Sequence, residues 1–209
     1  MSATIEFIFD FGSPNAYLAH RALPPILERT GANLVIIPCL LGGIFKATGN
    51  LAPAIAFAPI KGKFEYEMLE LRRFVARHQF EKFRLNPHFP VNTLMLMRGL
   101  VAAREAGSGA AYLEMGLEGM WEEGLKLDDK EVLARRIDSA GLDSASLLAA
   151  SQTDPIKQKL VDNTAAAVGR GVFGIPTFFV GDEMFFGKDR LGQVEEAIEA
   201  TKVSASGPN

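Results

Sequence analysis

An α/β fold with a long helical stretch set into it is predicted by three observations on the 209-residue sequence. A β-α-β unit opens the chain, helical periods fill residues 40–168, and two short apolar strands followed by a helix close it. Residues 4–10 (Thr-Ile-Glu-Phe-Ile-Phe-Asp) alternate and are rich in β-formers, which predicts the first strand. Pro14 lacks a backbone donor and its fixed φ suits the first helical position, so Ser13 reads as the N-cap of a helix over 14–29. Pro24 and Pro25 predict a kink in that helix, and Gly31 supplies its stop. Residues 34–38 are a second strand, parallel to the first by the handedness of the crossover.

The middle of the chain has a different texture. Phe64, Met68, Leu71, Val75 and His78 recur at spacings of four and three, which predicts one apolar face of an amphipathic helix. A second helix over 93–106 is apolar nearly all round in its first half, with Asn92 and Thr93 as its caps. A third over 112–123 turns Leu113, Leu117, Met120 and Trp121 inward. Asp128 with Glu131 resembles a capping box for a fourth, and Asp154 with Pro155 opens another towards Gly169. Then 176–180 and 183–186 read as strands joined by the turn Gly181-Asp182. Asp189 is expected to cap a last helix whose Leu191, Val194 and Ile198 share a face. That order is the one a thioredoxin-like fold takes when a large α-helical domain is inserted into it. The expected boundaries are 1–39 and 170–203 for the thioredoxin-like domain, 40–169 for the insertion and 204–209 for a flexible tail.

Composition narrows the function. Apolar residues at 48% and charged residues at 22% are ordinary for a globular chain, so neither disorder nor a membrane protein is indicated. A net charge of −3 gives no electrostatic reason to expect nucleic acid, and the Lys and Arg residues between 61 and 136 are interleaved with acids. No run reaches the length of a membrane helix and the start lacks the pattern of a signal peptide, so a cytoplasmic protein is expected. The one cysteine, Cys39, permits no intrachain disulfide and reads as a small buried apolar residue. His20, His78 and His88 have no metal-site spacing, and no metal is expected.

Two loci carry chemistry. At Ser13 a strand meets a helix, leaving backbone N–H groups and the positive end of the helix dipole beside the side chain. A phosphate, carboxylate or thiolate would be stabilised there; the plainer reading is that Ser13 only caps. In Gly-Ile-Pro-Thr-Phe-Phe-Val (174–180), Pro176 at the start of an apolar strand marks either an edge or a cis peptide. In a thioredoxin-like frame the Ile175–Pro176 bond is cis, with the Ile175 backbone open to an extended peptide.

Three segments, taken in order, resemble one family. They are Phe-Asp-Phe-Gly-Ser-Pro-Asn-Ala-Tyr-Leu-Ala from residue 9, Phe-Pro-Val-Asn-Thr-Leu at 89–94, and Gly-Ile-Pro-Thr-Phe-Phe-Val-Gly-Asp-Glu-Met-Phe-Phe-Gly-Lys-Asp-Arg-Leu at 174–191. The chain resembles the 2-hydroxychromene-2-carboxylate isomerases, relatives of the kappa-class glutathione transferases and of DsbA-like oxidoreductases. The resemblance implies a glutathione site. In it Ser13 faces the sulfur, Asn50 lies near glutathione and substrate, and Lys61 (or its neighbour Lys63) meets the glycyl carboxylate. Ile175 and Pro176 pair with the cysteinyl backbone, and Lys188 and Asp189 take the γ-glutamyl end, Asp189 binding the ammonium. Glu70 and Arg73 resemble the family's Asp-x-x-Arg and read as a surface ion pair, while Tyr17 is expected to pack.

The implied activity is glutathione-dependent cis-trans isomerisation of an aromatic unsaturated keto acid such as 2-hydroxychromene-2-carboxylate, in a homodimer. The rivals are a kappa-like transferase or peroxidase and a thioredoxin-fold binding protein. An oxidoreductase is disfavoured, because a thiol-disulfide enzyme needs the C-x-x-C this sequence lacks.

Overall fold

The computed structural model describes residues 3–205. Its centre is a four-stranded sheet in the order β2-β1-β3-β4, from β1 (Thr4–Phe9), β2 (Asn33–Pro38), β3 (Thr177–Val180) and β4 (Glu183–Phe186). β1 runs parallel to β2 as the short crossover requires, and antiparallel to β3. The register pairs Phe9 with Pro38 and Ile8 with Thr177. The C-terminal end of β1 therefore lies beside the start of β3, and this brings the two predicted loci together.

Between β1 and β2 run α1 (Pro14–Ala22) and α2 (Pro24–Thr30). The expected kinked helix is thus two helices, although Leu23 between them keeps helical dihedrals and its N–H still donates to Ala19 O. The break falls where Pro24 and Pro25 withdraw consecutive donors. Gly31, at φ 63°, stops α2 in the left-handed conformation that glycine adopts without a Cβ clash.

Between β2 and β3 lie α3 (Leu41–Thr48), α4 (Pro53–Ala56), α5 (Lys63–His78), α6 (Leu94–Glu105), α7 (Gly109–Trp121), α8 (Lys130–Ser139), α9 (Ser144–Ala150) and α10 (Asp154–Gly169). Three expectations need correction here. The cap of α8 is Asp129, not Asp128, and its carboxylate accepts from Glu131 N and Val132 N. Of the apolar face expected on α5, Leu71 is buried but Phe64 is exposed. Asn92 accepts from Leu94 N, whereas Thr93 makes no cap bond at the start of α6. The helix α9, capped by Asp143, was not expected.

After β4 the chain forms a 3-10 turn, Lys188–Arg190, before α11 (Leu191–Ala205). Leu191, Val194 and Ile198 are buried together as expected, and α11 packs on β3 and α2. Asp189 lies inside the 3-10 turn, two residues before the helix it was expected to cap. The tail expected over 204–209 lies, beyond Ala205, outside the described residues.

Aromatic packing connects the sheet to the helices. Phe7 lies 4.6 Å from Phe178 of β3 and 5.5 Å from Phe9; Phe9 meets Phe11 edge-on at 5.0 Å, and Phe11 faces Tyr112 of α7 at 6.5 Å between ring centres. All five rings are buried, and each such side chain contributes about 1.5–3 kcal/mol by leaving water. Trp121 Nε1 donates to Phe11 O at 2.9 Å. The loop after β1 is thus held from the sheet side and from α7 before it reaches Ser13.

Candidate active site

Ser13 has extended dihedrals (φ −100°, ψ 114°), and its side-chain oxygen accepts from Ala16 N at 3.2 Å, which is N-cap geometry. Its carbonyl accepts from Ala16 N and Tyr17 N, so the first turn of α1 closes on this residue. The first turn contains no acidic side chain, and the positive end of the helix dipole lies beside the hydroxyl. Only 5% of Ser13 is exposed. The hydroxyl proton is directed at Ile175 O, 2.9 Å away. Ser13 therefore does two things at once, capping α1 and reaching the residue before Pro176.

Beneath this junction sits Asp10, fully buried. One carboxylate oxygen accepts from Gly12 N at 2.8 Å and the other from Leu41 N at 2.7 Å, while Thr93 bonds to it from the start of α6. Burial pushes the Asp10 carboxyl above its ordinary range, against the lowering effect of those three bonds. The contact explains why Thr93 does not cap its helix. It also joins the Ser13 loop to α3 and α6. Sequence reading missed Asp10 as a site residue; the signal was an acid flanked by phenylalanines in a run otherwise fit for burial.

Cys39 lies nearby at the end of β2, buried, and its Sγ donates weakly to Asn163 O at 3.4 Å. Burial, together with the charge of Asp10, pushes its thiol up to about 12. It is a packing residue, as its apolar neighbours suggested.

Opposite Ser13, the Ile175–Pro176 bond is cis, as expected. Pro176 O accepts from Gly187 N at 2.9 Å, and Lys188 and Asp189 follow directly. Hydrogen bonds and chain continuity thus gather five of the expected site residues: Ser13, Ile175, Pro176, Lys188 and Asp189. Lys188 is only 5% exposed, and its Nζ donates to both carboxylate oxygens of Asp189, at 3.0 and 2.9 Å, above the Phe74 ring. Asp189 was expected to bind a ligand ammonium; its carboxylate is 60% exposed and accepts from Lys188.

Asn50 and Lys61 lie exposed on the segment from α3 to α5, and among the described residues no hydrogen bond joins either to Ser13. Lys63 Nζ meets Glu67 at 2.5 Å and lies over the Phe57 ring at 5.1 Å. Glu70 and Arg73 form the surface pair expected of them. Tyr17 packs, stacked on Phe83, with its hydroxyl donating to Glu122 at 2.9 Å.

Two surface clefts of about 380 and 400 Å³ open elsewhere, one beside Ile36 and Arg104 and one beside Arg21 and Phe80. Neither is lined by Ser13, Ile175 or Asp189. Volume alone does not mark chemistry, whereas the Ser13 junction combines a helix N-terminus with a hydroxyl 2.9 Å from the Ile175 carbonyl.

Similarity to known proteins agrees with this geometry. Residues 4–199 match the family described as DSBA-like thioredoxin domain. The 2-hydroxychromene-2-carboxylate isomerase of Sphingobium xenophagum is 29% identical over 200 residues, 95% of this chain and 99% of that protein. Glutathione S-transferase kappa 1 of Rattus norvegicus is 27% identical over 203 residues, 90% of this chain and 87% of that protein. A solved structure of a 2-hydroxychromene-2-carboxylate isomerase superposes with a TM-score of 0.82 at 27% identity, covering 97% of this chain and 98% of that one. Pseudomonas aeruginosa DsbA, at 17% identity and a TM-score of 0.60 with 99% and 87% of the two chains covered, shares the fold. The fold, the paired loci and the match over residues 4–199 lead to one conclusion: this chain belongs to the DSBA-like thioredoxin domain family, alongside the 2-hydroxychromene-2-carboxylate isomerases.

Proposed function

We propose that this protein is a glutathione-dependent cis-trans isomerase of 2-hydroxychromene-2-carboxylate or a similar aromatic unsaturated keto acid. One observation carries the proposal: the Ser13 hydroxyl stands at the N-terminus of α1, whose first turn has no acidic side chain, and points at the carbonyl of Ile175. A thiol peptide fits that arrangement, because a hydroxyl donor and a helix end favour sulfur as its anion while the Ile175 backbone suits an extended chain.

Bound glutathione would supply the thiolate that adds reversibly to the substrate double bond and so removes its barrier to rotation. The protein's own part is to make that thiolate available. A free thiol with pKa about 8.5 is only a few per cent ionised at neutral pH. One hydrogen bond to a charged acceptor is worth about 1.5–3 kcal/mol, which is about one to two pKa units. Rotation of the Ser13 O–H from Ile175 O towards sulfur exchanges a neutral acceptor for a charged one, and the helix end adds to the effect. Ser13 is a donor in this reading and not a nucleophile. Asn50 and Lys61 would hold carboxylate or carbonyl groups; Lys63 is engaged by Glu67, which favours Lys61 as the cation. We also propose residues 40–169 as the insertion domain that walls the aromatic ring, a cytoplasmic location and a homodimer; sedimentation velocity at twice the monomer mass checks the last.

The test is absorbance of 2-hydroxychromene-2-carboxylate with and without glutathione, on the wild type and on Ser13→Ala. Isomerisation that needs glutathione and falls at least tenfold in the variant, a loss of about 1.4 kcal/mol, is expected. Wild-type turnover in Ser13→Ala, or turnover indifferent to glutathione, overturns the reading. The kappa transferase relative favours a second one, conjugation of glutathione to an electrophile. Conjugate accumulating without isomerisation would select it.

A further inference from the structure

We infer that Asp10 is a positioning residue for the isomerisation: held between the starts of α3 and α6, its side chain fixes the turn that carries Ser13 and so sets where the hydroxyl meets the ligand sulfur. The inference rests on the glutathione reading above and adds to it a residue that acts through Ser13. It starts from the closure of the turn. Asp10 O accepts from Ser13 N at 3.2 Å, and Asp10 Oδ1 accepts from Gly12 N at 2.8 Å. One residue therefore holds the backbone N–H groups of both Gly12 and Ser13, while Trp121 Nε1 holds the carbonyl of Phe11 just before them.

The Asp10 side chain is itself fixed from two helices. Its other oxygen, Oδ2, accepts from Leu41 N, the first residue of α3, at 2.7 Å, and Thr93, immediately before α6, bonds to the carboxyl. Leu40 stands at the N-cap of α3 without a side-chain oxygen to offer, so Asp10 satisfies that helix end from the end of β1. A Cβ built on Gly12 would stand 3.4 Å from Asp10 Oδ1 and 3.4 Å from Thr93 Cγ2, so the turn lies directly against both residues. Asp10 is fully buried and Thr93 is buried with it. The turn can shift only when these bonds break.

An amide of the same shape cannot keep them all. A carboxyl accepts on both oxygens, whereas the nitrogen of asparagine only donates, so Asp10→Asn must set a donor against either Gly12 N or Leu41 N. Ser13 is the next residue after Gly12, and a misplacement of about 1 Å at a reacting group costs about 10²-fold in rate. The sign of the effect separates positioning from its rivals. Negative charge on Asp10 opposes a thiolate beside it, so removing that charge alone leaves turnover equal or higher. A loss of stability alone leaves turnover per folded molecule unchanged. Displacement of Ser13 lowers it.

Steady-state kinetics with 2-hydroxychromene-2-carboxylate at saturating glutathione, on the full chain carrying Asp10→Asn, tests the inference, with the folded fraction taken from circular dichroism. kcat is expected to fall at least tenfold while KM for glutathione stays within about threefold, because the Ile175 backbone is unaltered. Ile198→Ala, which leaves a cavity at a buried position of α11, is expected to lower the melting temperature and to keep the wild-type kcat. A kcat within threefold of wild type in Asp10→Asn, or an equal loss in Ile198→Ala, overturns the inference and leaves the glutathione reading standing. If Asp10→Asn does not fold, Thr93→Val decides, since it keeps the carboxyl and removes one of its donors: a kcat reduced threefold or more is expected, and an unchanged kcat overturns the inference. A wild type without glutathione-dependent turnover overturns both.

Discussion

The Ser13 hydroxyl donates to the Ile175 carbonyl at 2.9 Å, across 162 positions of sequence. One polar atom therefore fastens the first turn of α1 to the loop before β3, and it does so while accepting the Ala16 N–H. The cap and the bond to Ile175 share an oxygen, so they cannot be varied independently. Substitutions here are expected to register in stability as well as in turnover.

Ser13→Ala removes the cap and strands the buried Ile175 carbonyl. A lost cap costs about 1 kcal/mol and an unsatisfied buried acceptor about 1–3 kcal/mol, so a total of about 2–4 kcal/mol is expected in urea unfolding. A fold with an ordinary margin of about 5–15 kcal/mol survives that loss. Ser13→Thr, which keeps the oxygen, is expected to recover most of it.

Asp10 sets a pH dependence. Burial holds its carboxyl above the ordinary 3.8, so the folded protein keeps the proton more tightly than the unfolded chain does. Its contribution is present below 3.8 and is lost as pH rises through the raised folded value. The difference in unfolding free energy between wild type and Asp10→Asn, measured by denaturant at successive pH values, is expected to move against the wild type across that window. A difference that is flat with pH would show that the carboxyl titrates as an ordinary one, and one that moves the other way that its hydrogen bonds outweigh burial.

Cys39 is expected to be inert. With its thiol pushed up to about 12 and its side chain buried, almost no thiolate exists at pH 8 and no path leads to it. A chromogenic disulfide reagent should detect no thiol in the native protein and one per chain in denaturant. Rapid native reaction would mean that the β2 terminus opens.

Gly116 of α7 packs directly against the Phe11 ring. A Cβ there would stand 2.5 Å from the ring, too near for any side chain without displacement. Gly116→Ala is expected to destabilise by about 1–3 kcal/mol through overpacking. Because Phe11 lies two residues before Ser13, it should also lower turnover, and a thermal melt beside the isomerase assay checks both. Unchanged melting would mean that the ring has room to shift.

What could be read from the sequence was local. Ser13 with Pro14 declares a helix start, alternation declares β1, and Pro176 before an apolar run declares a special strand entry. The antiparallel pairing of β1 with β3 was not read, because nothing local joins strands so far apart in sequence. The Lys188–Asp189 pair was invisible because neighbouring residues turn to meet each other only in a 3-10 turn, which has no periodic signature. Thr93 was read as a cap because the acid it serves lies 83 positions away in sequence, between residues 10 and 93. Asp128 and Asp129 are chemically identical candidates for the α8 cap, and only backbone direction separates them. Asn50 and Lys61 were placed by resemblance alone, and their exposed segment adds no contact that would tie them to Ser13.

The antiparallel pairing of β1 with β3 has a consequence for synthesis. While a ribosome is still making residues 40–176, β1 has only β2 beside it, and Ser13 has no carbonyl to meet. The Ser13–Ile175 bond can form only when the last sixth of the chain emerges and β3 pairs beside the first strand, so a message truncated before codon 175 yields a chain that lacks it.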